Sequence, residues 1–380
     1  MKRKVTVTTG TRAEYGILRP ILREIRKSKN LELHLLVAGT HLSKKYGYTI
    51  NEIKSDGFSI HGKIRIMPNG NEPYHMSIAL GKGVIQFSKI FKKIKPDINI
   101  ILGDRDESLA SALAASHMNI PNAHIHGGDV SQGLDEYIRH AITKLSNIHF
   151  AATKKSKERI LRMGEDPKRV ILTGSPSIDE VAQSEISAKK ELEKKYDIDL
   201  SKPLFLLVQH SITSEYEKSK EQIQQTLNAL VKLRHQTISI LPNSDAGHTD
   251  IVTQLKKHSK KYDFKTYPSL PRKDYLGLMK YCTALVGNSS SGLIEGSYLN
   301  TSVVNIGSRQ MGREHGRNVI FVKKFSETVI LQALKKSLKM KSRHFKNNYI
   351  YGNGNASKKI VKFLEKLPPN EELINKQLTY

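Results

Sequence analysis

The sequence lacks several features on which whole classes of protein depend. It has one cysteine and no tryptophan, and only 7% of its residues are aromatic. The single thiol, Cys282, excludes an internal disulfide and any zinc or iron–sulfur site built from several cysteines, and it is typical of a reducing compartment such as the cytoplasm. No apolar run approaches the roughly 18 residues of a membrane span, so we expect no membrane insertion. The start of the chain predicts a first strand rather than a signal peptide, since polar residues interrupt its apolar stretch.

Acidic residues are also few relative to basic ones. Lysine and arginine number 62 against 36 aspartates and glutamates, which gives a formal charge of +26 at pH 7. This excess predicts an anionic partner. Nucleic-acid binding is one interpretation, because basic residues cluster between Lys323 and Lys346. No helix-turn-helix, zinc or aromatic-interleaved pattern accompanies them, so solvated helix surfaces are the simpler explanation and no nucleic-acid partner is predicted.

Short apolar runs alternate with helical patterns along the chain. The runs Ile98 to Leu102 and Leu204 to Val208 have the length and composition of buried strands. This alternation predicts an α/β fold with two Rossmann-like, doubly wound domains, and 380 residues suit two domains of about 150 residues each. The predicted boundaries are a first domain at 1–185, a charged linker at 186–202, a second domain at 203–367 and a frayed tail at 368–380.

Polar loops follow the predicted strands, and ligands bind at the carboxyl ends of parallel strands. The first loop, residues 10–16, brings Arg12 and backbone N–H groups to the start of a helix, which suits either an anion or a simple helix cap. It matches neither GxGxxG nor the P-loop pattern. A dinucleotide or P-loop site is therefore not predicted there.

Acids and histidines follow two later strands of the first half. Asp104 comes directly after a strand, where its side chain is expected to point towards a ligand, and it is the best candidate for acid–base catalysis. His124 and His126 alternate onto one side of the next strand, and Asp129 follows two glycines. These four residues could bind zinc, but no HExxH helix accompanies them. Acid–base chemistry without a metal is the favoured interpretation.

The second half repeats the pattern of polar loops after predicted strands. The loop Gly287 to Gly292 is rich in serine and runs directly into a helix, so its N–H and hydroxyl groups suit a diphosphate. Glu295 lies about one turn into that helix, where it could accept both hydroxyls of a ribose. One such loop would mean little, whereas polar loops after five strands point to a nucleotide site.

Together these loops resemble the UDP-N-acetylglucosamine 2-epimerase family, in particular its hydrolysing branch. The resemblance runs in order through nearly the whole chain, at GTRAEYG 10–16, GDR 103–105, HIHGGDV 124–130, DEYIRHAITKL 135–145, TGSPSID 173–179, QHSIT 209–213, PNSDAG 242–247, GNSSSG 287–292 and NIGSRQMGRE 305–314. It implies the two-domain GT-B arrangement, with the active site in the cleft between the domains.

The resemblance also implies a reaction. The proton on C2 of the sugar is removed, UDP leaves by elimination to give a glycal, and addition of water gives free N-acetylmannosamine. The substrate would be a UDP-linked nucleotide sugar for amino-sugar or sialic-acid-type biosynthesis, without cofactor or metal, in a cytoplasmic homodimer or homotetramer.

Site residues follow from the resemblance position by position. Asp104, Asp129 and Asp135 would form the acid–base set, and His210 would stabilise the departing diphosphate. UDP would be held by Arg12, Gly16, Arg105, His210, Asn243, Leu270, Ser289, Ser290, Glu295 and Arg309. This sequence departs from the family at His126, where relatives typically have a catalytic Glu, and at Asp129, where Glu is common. An imidazole with an ordinary pKa of about 6.5 also suits proton transfer near neutrality, so His126 joins the catalytic candidates.

The departure at His126 leaves other activities open. One is an epimerase that acts on a UDP- or GDP-linked diacetamido sugar, and another is a non-hydrolysing 2-epimerase. A third is a glycosyltransferase of the same fold, because fold alone does not fix function. The sequence identifies no acceptor site for a transferase, and the acids at 104, 129 and 135 would have no role in one.

Overall fold

The computed structural model describes residues 2–70, 72–183, 185–260, 262, 264–340, 349–368 and 370–379. Residues 341–346 of the basic cluster and residues 369 and 380 of the tail lie outside the described residues. The chain forms two units. The first contains Met1–Val130, Leu134–Ala182 and Tyr351–Tyr380, and the second contains Ser131–Gly133 and Gln183–Ile350.

Each unit has one parallel β-sheet. The strands of the first sheet are β1 Arg3–Thr9, β2 Leu31–Ala38, β3 Ile60–Ile64, β4 Ile98–Leu102, β5 Asn122–Ile125, β6 Ile148–Ala151 and β7 Val170–Leu172. The strands of the second sheet are β8 Leu204–Val208, β9 Gln236–Ile240, β10 Phe264–Tyr267, β11 Ala284–Gly287, β12 Val303–Ile306 and β13 Val319–Val322. Strands β4 and β8 are buried along their whole length, as expected for parallel strands with both faces covered.

Helices connect the strands. They are α1 Arg12–Lys27, α2 Ile50–Ser55, α3 Pro73–Ile94, α4 Asp106–His117, α5 Leu134–Leu145, α6 Lys154–Arg162, α7 Pro176–Gln183, α8 Lys189–Tyr196, α9 Ser219–Leu233, α10 His248–Ser259, α11 Arg272–Tyr281, α12 Ser290–Tyr298, α13 Glu327–Met340, α14 Ala356–Leu364 and α15 Asn370–Ile374. Short 3₁₀ turns occur at Gly39–Leu42, Lys44–Tyr46, Pro167–Arg169 and Thr213–Lys218. Within the described residues, no helix combines the length and the apolar character needed to cross a bilayer.

The strand orders are those of a doubly wound fold. The first sheet runs β3-β2-β1-β4-β5-β6-β7 and the second runs β10-β9-β8-β11-β12-β13. In each sheet the direction of winding reverses at one point, between β1 and β4 and between β8 and β11. Ligands bind outside the carboxyl ends of the strands at such points. The predicted α/β class with two Rossmann-like sheets is confirmed.

The end of the chain differs from the sequence-based boundaries. Helix α14, expected in the second domain at 203–367, packs on α1, and its Ile360 and Leu364 are buried in the core of the first unit. The expected frayed tail at 368–380 is corrected for its described residues. Leu373 is 4% exposed, and the Lys376 ammonium group donates to Glu165 Oε2 at 2.9 Å. The buried Leu373 and the ion pair to Glu165 therefore hold the tail in place, which its polar composition did not predict.

The expected linker at 186–202 also needs correction. It contains helix α8, whose Leu192 and Tyr196 are buried in the core of the second unit. Asp274 on α11 accepts hydrogen bonds from Ser187 and from Tyr196, at 2.5 and 2.6 Å. Two apolar residues on successive turns of α8 and the buried carboxylate of Asp274 hold the segment in place, although its surface is highly charged.

Candidate active site

A partly exposed candidate acid of the first unit lies at the winding reversal. Asp104 follows β4 after Gly103, whose φ of +70° suits a residue without Cβ. The Asp104 side chain is 22% exposed, and its Oδ2 accepts a hydrogen bond from Arg139 Nη2. Its Oδ1 makes no hydrogen bond to any of the described residues. Asp104 therefore presents one open carboxylate oxygen at the end of the strand.

A buried carboxylate–imidazole pair lies beyond the neighbouring strand β5. His126 and Asp129 are 5% and 2% exposed, and Nδ1 of His126 lies 3.2 Å from Asp129 Oδ2. On the other side of the ring, Nε2 lies 2.8 Å from the hydroxyl of Ser175. Asp129 Oδ1 accepts a further hydrogen bond from Ser156, at 2.6 Å. Asp129 thus favours a proton on Nδ1, which leaves Nε2 as the basic nitrogen of the ring.

His124, considered above as a metal ligand, supports the Asp104 turn instead. Burial lowers the pKa of His124 to about 3, so its ring is neutral at physiological pH. Its Nε2 donates to the backbone oxygen of Gly103 at 2.8 Å, and its Nδ1 lies 3.2 Å from the hydroxyl of Thr143. Across the part of the chain that the structure describes, no three His, Cys, Asp or Glu side chains form a group that could hold a metal ion.

The loop after β1 is a capped helix start. Thr11 is the N-cap of α1, and its hydroxyl accepts from the N–H of Glu14 at 3.2 Å. Oε2 of Glu14 in turn accepts from the N–H groups of Gly10 and Thr11, both at 2.9 Å. Burial, with the nearby charge of Glu107, raises the pKa of Glu14 to about 7. These two N–H groups are therefore bonded to Glu14 rather than open to an anion.

The remaining candidates of the first unit flank these turns. Arg12 lies in the first turn of α1 and its Nε is 2.6 Å from Glu52, while Gly16 is buried one turn later. Arg105 precedes α4, with its Nε 3.8 Å from Glu107. Asp135, half-buried in the first turn of α5, lies four residues before Arg139 and therefore on the same helix face.

In the second unit, Asn288 connects the loops at the winding reversal. Its Oδ1 accepts from the N–H of His210 at 2.7 Å, and its Nδ2 donates to the His210 carbonyl at 2.9 Å. Its own carbonyl accepts from Arg309 and Gln310, at 3.4 and 3.2 Å. Nδ1 of His210 accepts from the N–H of Asn243 at 3.2 Å, so a neutral His210 carries its proton on Nε2. The structure thus brings His210, Asn243 and Arg309 together.

The serine loop leads into helix α12. Ser289 is the N-cap residue, and its hydroxyl lies 2.9 Å from that of Ser291, which also bonds the Tyr275 hydroxyl. Ser290 is half-buried in the first turn of the same helix. The N–H groups of a first helical turn and a neutral hydroxyl cluster suit a phosphate oxygen.

Two candidates of the second unit lie deeper than the sequence implied. Glu295 is 2% exposed and its Oε1 accepts a hydrogen bond from Arg272. Leu270 is 5% exposed and belongs to the hydrophobic core that covers β8. Neither Arg272 nor Asn288 was singled out from the sequence by itself. Their spacing could not reveal them, because each contacts residues about 20 or more positions away.

Comparison with known proteins gives three findings. Residues 23–365 match the family described as UDP-N-acetylglucosamine 2-epimerase. The chain is similar to the UDP-N,N'-diacetylbacillosamine 2-epimerase (hydrolyzing) of Legionella pneumophila, with 37% identity over 380 residues and 100% coverage of both chains. It is also similar to the GDP/UDP-N,N'-diacetylbacillosamine 2-epimerase (hydrolyzing) of Campylobacter jejuni, with 34% identity and coverage of 91% of this chain and 90% of the relative.

A solved structure shares the fold. It is the UDP-GlcNAc 2-epimerase of Neisseria meningitidis bound to UDP-GlcNAc, with a TM-score of 0.79 and 21% identity. The match covers 96% of this chain and 100% of the solved chain. At this identity the likeness shows the fold alone.

Proposed function

Because the chain belongs to the UDP-N-acetylglucosamine 2-epimerase family, we propose that it is a hydrolysing 2-epimerase of a UDP-linked acetamido sugar. UDP-N,N'-diacetylbacillosamine is the substrate of first choice and UDP-N-acetylglucosamine the second. The substrate order rests on the two relatives named as hydrolysing diacetylbacillosamine 2-epimerases. The reaction class rests on Asp104, a carboxylate at a strand end with one oxygen on a buried guanidinium and the other open.

The first step needs a base. The C2 proton of an acetamido sugar is weakly acidic, and its removal requires a carboxylate or imidazole within hydrogen-bond reach. In the proposal, Oδ1 of Asp104 takes this proton while the C1–O bond breaks, which gives a glycal and UDP. Water then adds across the double bond, with its hydroxyl on C1 and a proton on C2, and the product is a free 2-epimeric sugar.

The second step needs an acid that delivers a proton to the opposite face of C2. His126 is the candidate, because Asp129 orients the ring and leaves Nε2 as the nitrogen that can carry the transferred proton. In the structure Nε2 contacts the Ser175 hydroxyl, so proton delivery requires that this hydrogen bond be exchanged for one to the sugar. Asp135, on the Arg139 face of α5, completes the proposed acid–base set.

The leaving group is assigned to residues of the second unit. Ser289, Ser290 and the first N–H groups of α12 would bind the diphosphate, since a helix N-terminus favours negative charge. Nε2–H of His210 and the Arg309 guanidinium would stabilise the charge that develops as UDP departs. Asn243, Leu270 and Glu295 would line the nucleoside, with Glu295 Oε2 as acceptor for a ribose hydroxyl. Arg12, Gly16 and Arg105 of the first unit complete the proposed UDP contacts.

Product analysis by NMR in D₂O tests the proposal. The enzyme is incubated without acceptor with UDP-N,N'-diacetylbacillosamine, its GDP analogue and UDP-N-acetylglucosamine in parallel. We expect free sugar that carries deuterium at C2, together with an equal amount of UDP. An epimer that is still attached to UDP would identify a non-hydrolysing enzyme. Intact substrate without UDP release would contradict the proposal and favour a transferase, which needs an acceptor.

The location, oligomeric state and cofactor requirement are proposed on the basis of the same family membership. We propose that the enzyme works in the cytoplasm as a homodimer or homotetramer, without cofactor or metal. Mass measurement in solution by light scattering tests the oligomeric state, and a monomer that retains full activity would contradict it.

A further inference from the structure

We propose that Arg139 is the positioning residue of the acid–base group, which holds Asp104 in the orientation that proton transfer requires. The inference rests on the proposed function, because it assigns a role in the same reaction. Arg139 does not contact the sugar in this proposal, and it acts through Asp104.

The geometry around Arg139 supports this role. Its side chain is 1% exposed, although arginine is rarely so deeply buried unless its charge is paired. Nη2 donates to Asp104 Oδ2, and Nη1 donates to the carbonyl of Asp129 and to Glu136 Oε2, both at 3.1 Å. The guanidinium thus joins the turn after β4, the loop after β5 and its own helix α5. These are the three segments that carry the candidate acids.

A single hydrogen bond explains how Arg139 could control Asp104. An aspartate at a strand end rotates about two torsions, and its two oxygens exchange places in solvent. With Oδ2 fixed on a planar guanidinium, Oδ1 is held in one direction. A lysine in place of Arg139 would keep the positive charge but would lack the planar fork that reaches Asp104 and the Asp129 carbonyl together. Misplacement of a reacting group by about 1 Å can cost about 10²-fold in rate.

Other charged groups around this cluster are already paired. Nε2 of His140 lies 3.0 Å from Glu136 Oε1, and Nδ1 of His126 lies 3.2 Å from Asp129. Loss of Arg139 would therefore leave Asp104 without its cationic partner. An unpaired carboxylate holds its proton to higher pH, so the acid limb of the rate profile should move to higher pH.

The chain offers a matched control. Arg159 on α6 also supports the loop after β5, because its Nη1 donates to the carbonyl of Gly128 at 2.9 Å. Gly128 is the neighbour of Asp129, but no ion pair connects Arg159 to Asp104 within the described residues. The variants Arg159→Lys and Arg159→Gln therefore disturb the same loop without releasing Asp104.

The test compares Arg139→Lys and Arg139→Gln with the two Arg159 variants. We expect kcat to fall about 10- to 100-fold in the Arg139 variants, with KM and UDP affinity within about twofold of the unsubstituted enzyme. The Arg159 variants should keep kcat within about twofold. Thermal unfolding in the presence of UDP checks that each variant is folded, and Arg139→Lys, which keeps the charge, decides the matter if Arg139→Gln does not fold.

A double-mutant cycle separates positioning from a general structural effect. In an Asp104→Asn background, Arg139→Lys should lower kcat by less than about twofold, since the group it positions is gone. Equal losses in both backgrounds, an acid limb that does not move in folded Arg139→Gln, or equal effects at Arg139 and Arg159 would overturn the inference. An unsubstituted enzyme that converts none of the UDP sugars would overturn the proposed function instead.

Discussion

The two units carry different chemistry at equivalent places in the same fold. At the winding reversal of the first sheet, charged side chains pair with each other, as Asp104 does with Arg139. At the corresponding reversal of the second sheet, amides and hydroxyls such as Asn288 and Ser289 predominate. The strand order around both reversals is the same, so the fold does not explain the difference.

The difference has a physical reason in the proposed reaction. Proton transfer needs groups that change charge, and such groups work when buried partners fix their orientation and protonation state. A diphosphate leaving group needs hydrogen-bond donors and positive charge, which in the proposal come from the serine hydroxyls, the N-terminus of α12 and the Arg309 guanidinium. We therefore expect substitutions in the acid–base set of the first unit to lower turnover, and substitutions in the serine loop or at Asn288 of the second unit to weaken nucleotide binding.

The largest effect is expected at Asp104. Asp104→Asn keeps the shape of the side chain but removes the base, so turnover should fall by about 10⁴-fold while UDP affinity stays within about twofold. Steady-state kinetics and calorimetric titration with UDP measure the two quantities. An Asp104→Asn enzyme with a tenth or more of the normal turnover would show that the base lies elsewhere in the first unit.

His126 should give the next largest effect. Its φ of +66° is left-handed, a conformation that Asn adopts more readily than most residues, so His126→Asn should fold without added strain. Turnover should fall by about 10²-fold or more, because Asn cannot exchange a proton near neutrality. UDP affinity should be unchanged.

The variant His126→Glu sharpens this test. It restores a titrating group, so part of the activity should return, with the acid limb of the rate profile at lower pH. Loss of UDP binding in His126→Asn would instead identify a structural histidine, held by Asp129 and Ser175 for stability alone.

A substitution at Asn288 tests the other side of the comparison. Asn288→Ala removes two hydrogen bonds to the His210 backbone and leaves buried polar groups without partners. UDP affinity should fall about tenfold, with a smaller change in kcat at saturating substrate. Gln224→Ala on the exposed face of α9 is the control. A drop in kcat with normal UDP affinity would contradict the assignment of nucleotide binding to the second unit.

A smaller effect, on stability alone, is expected for the ion pair between Lys376 and Glu165, which lies away from both winding reversals. Burial alone would raise the pKa of Glu165, but hydrogen bonds from His149, Lys376 and Lys144 lower it to about 2. A lowered carboxyl pKa stabilises the fold above pH 4.5, and this contribution is lost as the pH falls towards 2. Lys376→Met should therefore cost about 2 kcal/mol of unfolding free energy at pH 7 and much less at pH 3. Lys362→Met is the exposed control, and equal costs at both pH values would contradict the assignment.

The smallest effect is expected at Glu14, whose pKa is raised to about 7. A raised carboxyl pKa makes the charged form costly, so stability falls as the pH rises from 4.5 through 7. Glu14→Gln keeps an acceptor for the loop N–H groups and removes the charge, so its urea midpoint should be less sensitive to pH between 5 and 8. The exposed Glu158→Gln on α6 should leave that sensitivity as it is.

The sequence predicted most strands but not all. Buried runs such as Leu204 to Val208 are apolar throughout and give a clear signal. The edge strands β3, with sequence IHGKI, and β13 were missed. An edge strand has one paired neighbour and a partly exposed surface, so a partly polar sequence such as that of β3 can form one. This reason does not apply to β13, whose sequence VIFV is apolar throughout. The polar residues of the tail gave no indication of the ion pair between Lys376 and Glu165.

The candidate site also contains residues that the sequence identified and residues that only the structure revealed. Polar residues after apolar runs identified Asp104, His126, Asp129 and the serine loop, because side chains at strand ends are local in the sequence. The groups that hold them, Arg139 and Asn288, belong to helix and loop positions 35 and 78 residues away from Asp104 and His210. Such pairs depend on which strands become neighbours.

By itself the sequence determined the alternation of strands and helices, the order of the polar loops and the types of chemistry those loops can perform. Hydrophobic periodicity and turn residues act over a few positions, so they can be recognised without knowledge of the fold. Only the tertiary structure decided which charges pair. The guanidinium of Arg139 meets Asp104, and Lys376 meets Glu165, because parallel strands and their crossover helices bring distant segments to one sheet edge. Burial alone raises a carboxyl pKa, as it does for Glu14, whereas the hydrogen bonds from His149 and Lys376 outweigh burial and lower the pKa of Glu165.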